Sequence, residues 1–194
     1  DVYRLKKNVE ENFTLPHKFV CLSDRQIENV ETILLPENDW GVWNKMYLFK
    51  LLDETLYFDL DVFIQKNIDN LVREKLTLVH CVWKPFWIDD TQYGRHNTLK
   101  NSSIMSWKGD MSHIFDTFME DEDYHMVKFP GTDRFIDHFF KPESFPPLTA
   151  FSRAHGTQLG VLPNDGIYFT CPQAQVCLYN GKGKEIMKKD FCEV

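Results

Sequence analysis

Leu56-Tyr57-Phe58-Asp59-Leu60-Asp61-Val62 is the most informative segment of this chain: an apolar run that ends directly in two acids one residue apart. Its first half, with Thr55 ahead of it, is built from β-branched and aromatic residues that favour a strand. In an open α/β sheet the carboxyl ends of the strands are where ligands bind. Two oxygen donors at such an end can hold a hard divalent cation, Mg²⁺ or Mn²⁺, and through it a phosphate. The plainer alternative is that Asp59 and Asp61 close the strand and cap the next element. An EF-hand loop is excluded, because Phe63 and Ile64 stand where that loop needs an oxygen donor and a glycine.

Outward from this segment, strand-like and helix-like runs alternate. Val2 to Asn12 sets Val2, Leu5 and Val9 at near-helical spacing and predicts an amphipathic helix. Lys18 to Leu22 predicts a short buried strand, and Glu31 to Leu35 is a second apolar run closed by Pro36. Trp43 to Leu52 predicts a helix with Trp43, Met46, Tyr47 and either Phe49 or Lys50 on one face. Lys75 to Trp83, Ser103 to Trp107 and Gln175 to Tyr179 predict strands; Asp110 to Met119 and Thr132 to Phe140 predict helices. Pro142, Pro146 and Pro147 mark a loop. The alternation predicts an α/β sandwich, a single domain over residues 1–194 with no repeat and no Gly/Ser linker.

Composition narrows the function classes. A chain of 194 residues with 43% hydrophobic and 26% charged residues has the make-up of one globular domain, not of a disordered, collagen-like or small disulfide-stapled chain. Sixteen Phe, seven Tyr and five Trp supply either one dense core or a core plus a stacking cleft. The balance of 22 basic against 29 acidic residues gives −7, and the basic residues from Lys182 to Lys189 are too few for a phosphate-tracking groove. Nucleic acid and anionic membrane are therefore disfavoured as partners. Five cysteines without CxxC spacing fit thiols in a reducing, cytoplasmic setting. No apolar run nears the roughly 18 residues of a membrane span, and Asp1-Val2-Tyr3 opens no signal peptide. The sequons at Asn12 and Asn101 occur at chance level. The seven histidines show no HExxH spacing, and His80 beside Cys81 reads as a core residue. GxxxxGK[ST], GxSxG and GxGxxG are all absent, which argues against a P-loop enzyme, an α/β-hydrolase and a Rossmann dehydrogenase.

Several ordered segments resemble the family-8-type nucleotide-sugar glycosyltransferases, in particular their small bacterial and phage members. Residues 57–71, YFDLDVFIQKNIDNL, resemble a Tyr-x-Asp-x-Asp segment followed at fixed distance by Ile-Asp-x-Leu, here Ile68-Asp69-Asn70-Leu71. Residues 101–107, NSSIMSW, resemble the segment that lines the sugar cleft. Gly131-Thr132-Asp133-Arg134-Phe135-Ile136 resembles a later acidic segment before a helix, and Trp40 to Lys45 resembles a Gly-x-Trp-x-Lys element. Asn180-Gly181-Lys182-Gly183-Lys184 resembles the closing His-x-Gly-x-x-Lys element, with Asn180 in the histidine's place; an amide oxygen is a neutral, weaker partner for Mn²⁺ than imidazole. The alternative for this last element is a plain type I′ turn at Tyr179-Asn180-Gly181-Lys182.

The resemblance implies a GT-A-like three-layer α/β/α sandwich with a mixed, mostly parallel sheet, whose opening strand of about five or six residues would lie ahead of Asp1. It implies transfer of a sugar, with retention, from a nucleotide-diphosphate donor to a glycan, lipid or protein acceptor. Mn²⁺ or Mg²⁺ would be held by Asp59, Asp61 and Asn180, and the donor by Lys45, Asp59, Gly181, Lys182 and Lys184, with Gly181 and Gly183 permitting close backbone approach. Asp133, Asn101 and Ser102, with Ser103 beside them, would meet sugar hydroxyls near the reacting carbon. The alternative for the serines is solvation at a strand edge, and for Lys45 a solvated helix lysine. Trp83, Trp87 and Tyr93 offer a stacking platform for an acceptor, or simply core. Two other functions stay open: a haloacid-dehalogenase-type phosphatase with Asp59 as nucleophile, and a degenerate transferase fold that binds a glycan or protein without catalysis. The phosphatase lacks a convincing second acidic segment, Asp89-Asp90 being broken from its strand by Pro85.

Overall fold

The computed structural model describes residues 1–81, 83, 98–154, 170–181, 183–185 and 187. Its centre is a four-stranded sheet of β3 (Glu54–Phe58), β6 (Lys100–Lys108), β5 (Thr77–His80) and β7 (Glu143–Ser144), in that spatial order. β6 runs antiparallel to both β3 and β5, while β5 and β7 are parallel. The sheet is mixed, as expected, but two of its three neighbour pairs are antiparallel, so it is not mostly parallel. The reason is the placement of β6. It lies reversed between two strands that point the same way, and so carries its first residues to the carboxyl ends of both.

Each face of this sheet has its own core. On one, Leu78, Met105 and Trp107 pack with Trp43, Met46, Leu48, Phe49, Ile114, Phe118 and Phe135 from α2 (Tyr47–Leu51), α3 (Ser112–Met119), α5 (Thr132–Phe140) and the 3-10 turn Gly41–Met46. On the other, Val79, Cys81 and Ile104 pack with Leu5 and Val9 of α1 (Val2–Asn12) and with a second sheet of β4 (Val62–Ile64), β9 (Val176–Leu178) and β8 (Ala150–Ser152). One outer layer is helical; the other is a helix plus a small sheet. β1 (Val20–Ser23) and β2 (Glu31–Leu34) form a separate parallel pair.

The predicted helices α1 and α5 have the expected bounds, because each carries a full apolar stripe. The segment from Trp43 is instead a 3-10 turn followed by one α-helical turn, and it is Phe49, not Lys50, that is buried there. The first strand, Val20–Ser23, is half-buried and not fully buried. β4, β8 and α4 (Glu122–Lys128) were not expected, and the proline loop contains β7. β4 and β8 have three residues each, too few to show a period. α4 is short but well capped: Asp121 accepts from the Tyr124 backbone N–H at 3.1 Å, and Glu122 and Asp123 lie in the first turn. Asp121→Ala is expected to lower stability by about 1 kcal/mol in urea unfolding, with ligand binding unchanged.

Two further expectations can be compared. Among the described residues Cys21, Cys81, Cys171 and Cys177 form no disulfide; Cys192 lies outside the described residues. His80, at the end of β5, is only half-buried; burial, and then the charge of Lys100, hold its pKa below the ordinary 6.5. The folded state thus keeps His80 neutral, whereas the unfolded chain takes up a proton as pH falls through that value. The stabilising contribution is present above the unfolded pKa and lost below it. Melting temperature should therefore fall more steeply between about pH 7 and about pH 5 in the wild type than in His80→Gln. Among the described residues no helix is long and apolar enough to cross a membrane.

Candidate functional site

The site begins where β3 ends. Residues two apart on a strand share a face, so Asp59 projects on the side of Tyr57, and the Tyr57 hydroxyl donates to Asp59 Oδ1 at 2.5 Å. The Asp59 backbone N–H donates to the Ser103 carbonyl at 2.9 Å, which extends the β3–β6 ladder one residue beyond the strand. The 3-10 turn Gly41–Met46 then brings in Lys45. Its ammonium meets Asp59 Oδ1 at 2.8 Å and Oδ2 at 3.0 Å, the Ser102 carbonyl at 3.1 Å and Ser102 Oγ at 3.2 Å. Ser102 Oγ lies 3.1 Å from Thr132 Oγ1 at the start of α5. Four separate elements are thereby tied into one polar chain, Tyr57–Asp59–Lys45–Ser102–Thr132.

This network is largely withdrawn from solvent. Lys45 is 12% and Asp59 25% exposed at the side chain, and Ser102, Ser103 and Thr132 are buried. The serines are not a solvated strand edge, and Lys45 is not a solvated helix lysine. Burial first, and then the adjacent Asp59 charge, push the Tyr57 hydroxyl well above its usual pKa, so it remains a donor near neutrality.

Asp61 lies across the turn with different company. Lys184 Nζ is 3.3 Å from its Oδ2, and the Tyr179 backbone N–H donates to its carbonyl at 2.8 Å. Arg4 reaches over from α1 to donate to the carbonyls of Leu60 and Val62 at 2.5 and 2.7 Å, bracketing Asp61. Burial lowers the Arg4 pKa, while the charge of Asp61 works against that shift; a guanidinium stays ionised regardless. Lys45, Lys184 and Arg4 thus converge on a turn with two carboxylates, in a chain of formal charge −7.

Asn180 follows Tyr179 and so lies beside Asp61; its Oδ1 accepts from Ser152 Oγ at 2.6 Å. Gly181 has φ +56° and is exposed, whereas Asn180 is not in the positive-φ region, so the pair is not a type I′ turn. Gly183 is buried, but a Cβ there would meet only ordinary contacts at 3.7 Å and beyond, so its position does not require glycine. Lys182 lies outside the described residues. Asp133 is half-buried in the first turn of α5, next to Thr132. Gly131 ahead of it has φ +117°, where an L side chain is strained, so the backbone favours glycine at this helix start. Asn101 Oδ1 accepts from the Ser103 N–H of its own strand at 2.9 Å.

Not every expected element is at the site. Trp83 is buried in the core against α1 and the small sheet, so it is no acceptor platform; Trp87, Tyr93 and the Asp89-Asp90 pair lie outside the described residues. Ile68 and Leu71 are buried, and Asp69 between them accepts from Thr14 and Asn67, so this element closes a turn beneath α1. Sequence reasoning gave no role to Tyr57, Thr132 or Arg4. Tyr57 had a signal, its position two residues before Asp59 on one strand face; Thr132 and Arg4 had none.

The oxygens that would hold a hard cation are those of Asp59, Asp61 and Asn180, donor types that suit Mg²⁺ or Mn²⁺; both Asp59 oxygens face Lys45, and Asn180 Oδ1 accepts from Ser152 Oγ. Among the described residues no three His, Cys, Asp or Glu side chains gather into a metal-ligating group. Fold and site together define a mixed α/β protein with a charged turn at the carboxyl end of an edge strand of the central sheet. Compared with known proteins, the chain matches no protein-family model and no curated protein sequence.

Proposed function

We propose that this protein is a GT-A-type glycosyltransferase that binds a nucleotide-diphosphate sugar across the Asp59–Asp61 turn and passes the sugar, with retention, to an acceptor. The observation that carries the proposal is the convergence of Lys45, Lys184 and Arg4 on that turn in an otherwise acidic chain. A diphosphate leaving group gains negative charge as the glycosidic bond breaks, and cations fixed in advance stabilise that charge without reorganising.

Lys45 is held for this role by Asp59 and Ser102, and Lys184 supplies a mobile charge at the rim, 66% exposed. A divalent cation on the oxygens of Asp59, Asp61 and Asn180 would neutralise both phosphates when bound. Asn101 precedes Ser102 on β6 and Asp133 follows Thr132 on α5, and the Ser102–Thr132 contact joins the two elements; Asp133, Asn101 and Ser102 would meet the sugar hydroxyls. In a retaining transfer the departing phosphate can take the acceptor's proton, so none of these residues need act as base.

The test is incubation with a panel of nucleotide sugars and Mn²⁺, following nucleoside-diphosphate release. Release from one donor, lost in Asp59→Asn, is the expected result. Release from none, together with phosphate release from an aryl phosphate, would replace this proposal with a phosphatase. Lys184→Ala is expected to weaken diphosphate binding by about tenfold while changing stability by less than about 1 kcal/mol, since Lys184 is 66% exposed and touches Asp61 at a single 3.3 Å contact.

A further inference from the structure

We infer that Lys45 is an internal competitor for the cation site: its ammonium occupies Asp59 until a diphosphate arrives to take it over, so metal entry and nucleotide entry are coupled. This rests on the transferase reading of the same site. Both Asp59 oxygens face the Lys45 ammonium, at 2.8 and 3.0 Å. A divalent cation on that carboxylate would be forced close to a buried positive charge, and at about 4 Å such repulsion is large in a low-dielectric setting.

The ammonium cannot simply swing into water, because its side chain is 12% exposed. Its other two partners, the Ser102 carbonyl and Oγ, are neutral and can stay bonded while the third N–H is redirected. A phosphate oxygen is the acceptor that restores charge balance. Lys184 on Asp61 behaves differently: one contact at 3.3 Å from a 66% exposed side chain can be given up at little cost. The two carboxylates are therefore unequal. Asp61, although itself only 19% exposed, is freed by the outward move of an exposed lysine, whereas Asp59 becomes available when the buried Lys45 is drawn off.

Manganese paramagnetic-resonance titration of the nucleotide-free protein tests this without any turnover. Lys45→Gln removes the charge but keeps a donor for Ser102; it is expected to bind Mn²⁺ about tenfold more tightly than wild type, and Lys45→Met likewise. Lys184→Met is expected to change Mn²⁺ affinity by less than about twofold. In the presence of a nucleoside diphosphate the order reverses, and the Lys45 variants bind the Mn²⁺–nucleotide pair more weakly than wild type. Circular dichroism melts establish that both Lys45 variants are folded; either alone suffices. Equal and measurable Mn²⁺ affinity in wild type and the Lys45 variants would overturn this inference while leaving the transferase reading standing. No Mn²⁺ binding by any nucleotide-free variant would overturn this inference alone, and none with a nucleoside diphosphate present would overturn both.

Discussion

Asp59→Asn is expected to reduce sugar transfer by about 10²–10³-fold, the loss typical of removing one preorganised charge-stabilising group at a reacting centre. The substitution keeps the shape of the side chain and an acceptor for the Tyr57 hydroxyl, so the strand end should remain in place. What it removes is the charge that fixes Lys45. With Asp59 neutral, a lysine 12% exposed is left with two neutral acceptors on Ser102. That under-compensated charge should cost about 1–3 kcal/mol of stability, visible as a lower urea midpoint. Asp61→Asn should cost less stability, because its lysine partner is 66% exposed, against 12% for Lys45. A variant pair in which Asp61→Asn destabilises more than Asp59→Asn would mean that Lys45 is not anchored as described.

Phe135→Ala is expected to give the largest loss of stability, about 3–5 kcal/mol. Phe135 is fully buried, and its ring meets those of Trp43, Phe118, His125, Phe129, Phe139 and Phe140. The described partners of its ring are themselves aromatic, and His125, in the middle of the cluster, is tied by Nδ1 to the Phe118 carbonyl at 3.0 Å. At about 2–4 °C per kcal/mol for a chain of this size, the melting temperature should fall by roughly 6–20 °C. The same cluster connects the two elements that bring Lys45 and Thr132 to the site: Trp43 lies two residues before Lys45, and Phe135 follows Thr132 in α5. Diphosphate affinity should therefore weaken in Phe135→Ala even at temperatures where the variant is folded. Unchanged affinity would show that the aromatic cluster supports stability alone.

The aromatic excess in the composition is thus mostly packing. Trp43, Trp107, Phe115, Phe118 and Phe135 belong to the core on the helical face, and Trp83 belongs to the other core. Elements with a complete periodic signal could be read in advance, as α1 and α5 show. The short strands β4, β7 and β8 could not, because their existence depends on a neighbour already in place and not on their own pattern; β9, also of three residues, lies within the apolar run Gln175 to Tyr179 that predicts it.

The same distinction applies to the site. Asp59, Asp61, Lys45 and Ser102 were each visible as residue types in a suggestive order. Their mutual contacts depend on β6 running backwards beside β3, which sets Ser103 against the strand end and Ser102 under Lys45. Nothing local in NSSIMSW specifies that direction. Arg4 lies 56 residues from the Leu60 carbonyl it holds, and its role follows only from the packing of α1 on β4. Gly131 gave a weak local sign, as a glycine directly ahead of an acidic helix start, and its φ of +117° shows why the backbone favours glycine there.

The most direct measurement is calorimetric titration of the protein with UDP, GDP, ADP, CDP and TDP, each with and without Mn²⁺. The expected result is binding of at least one diphosphate, strengthened by about tenfold or more with Mn²⁺ and abolished in Asp59→Asn. Failure of every diphosphate to bind in the presence of Mn²⁺, with the protein shown to be folded, would contradict a nucleotide-sugar site at the Asp59–Asp61 turn.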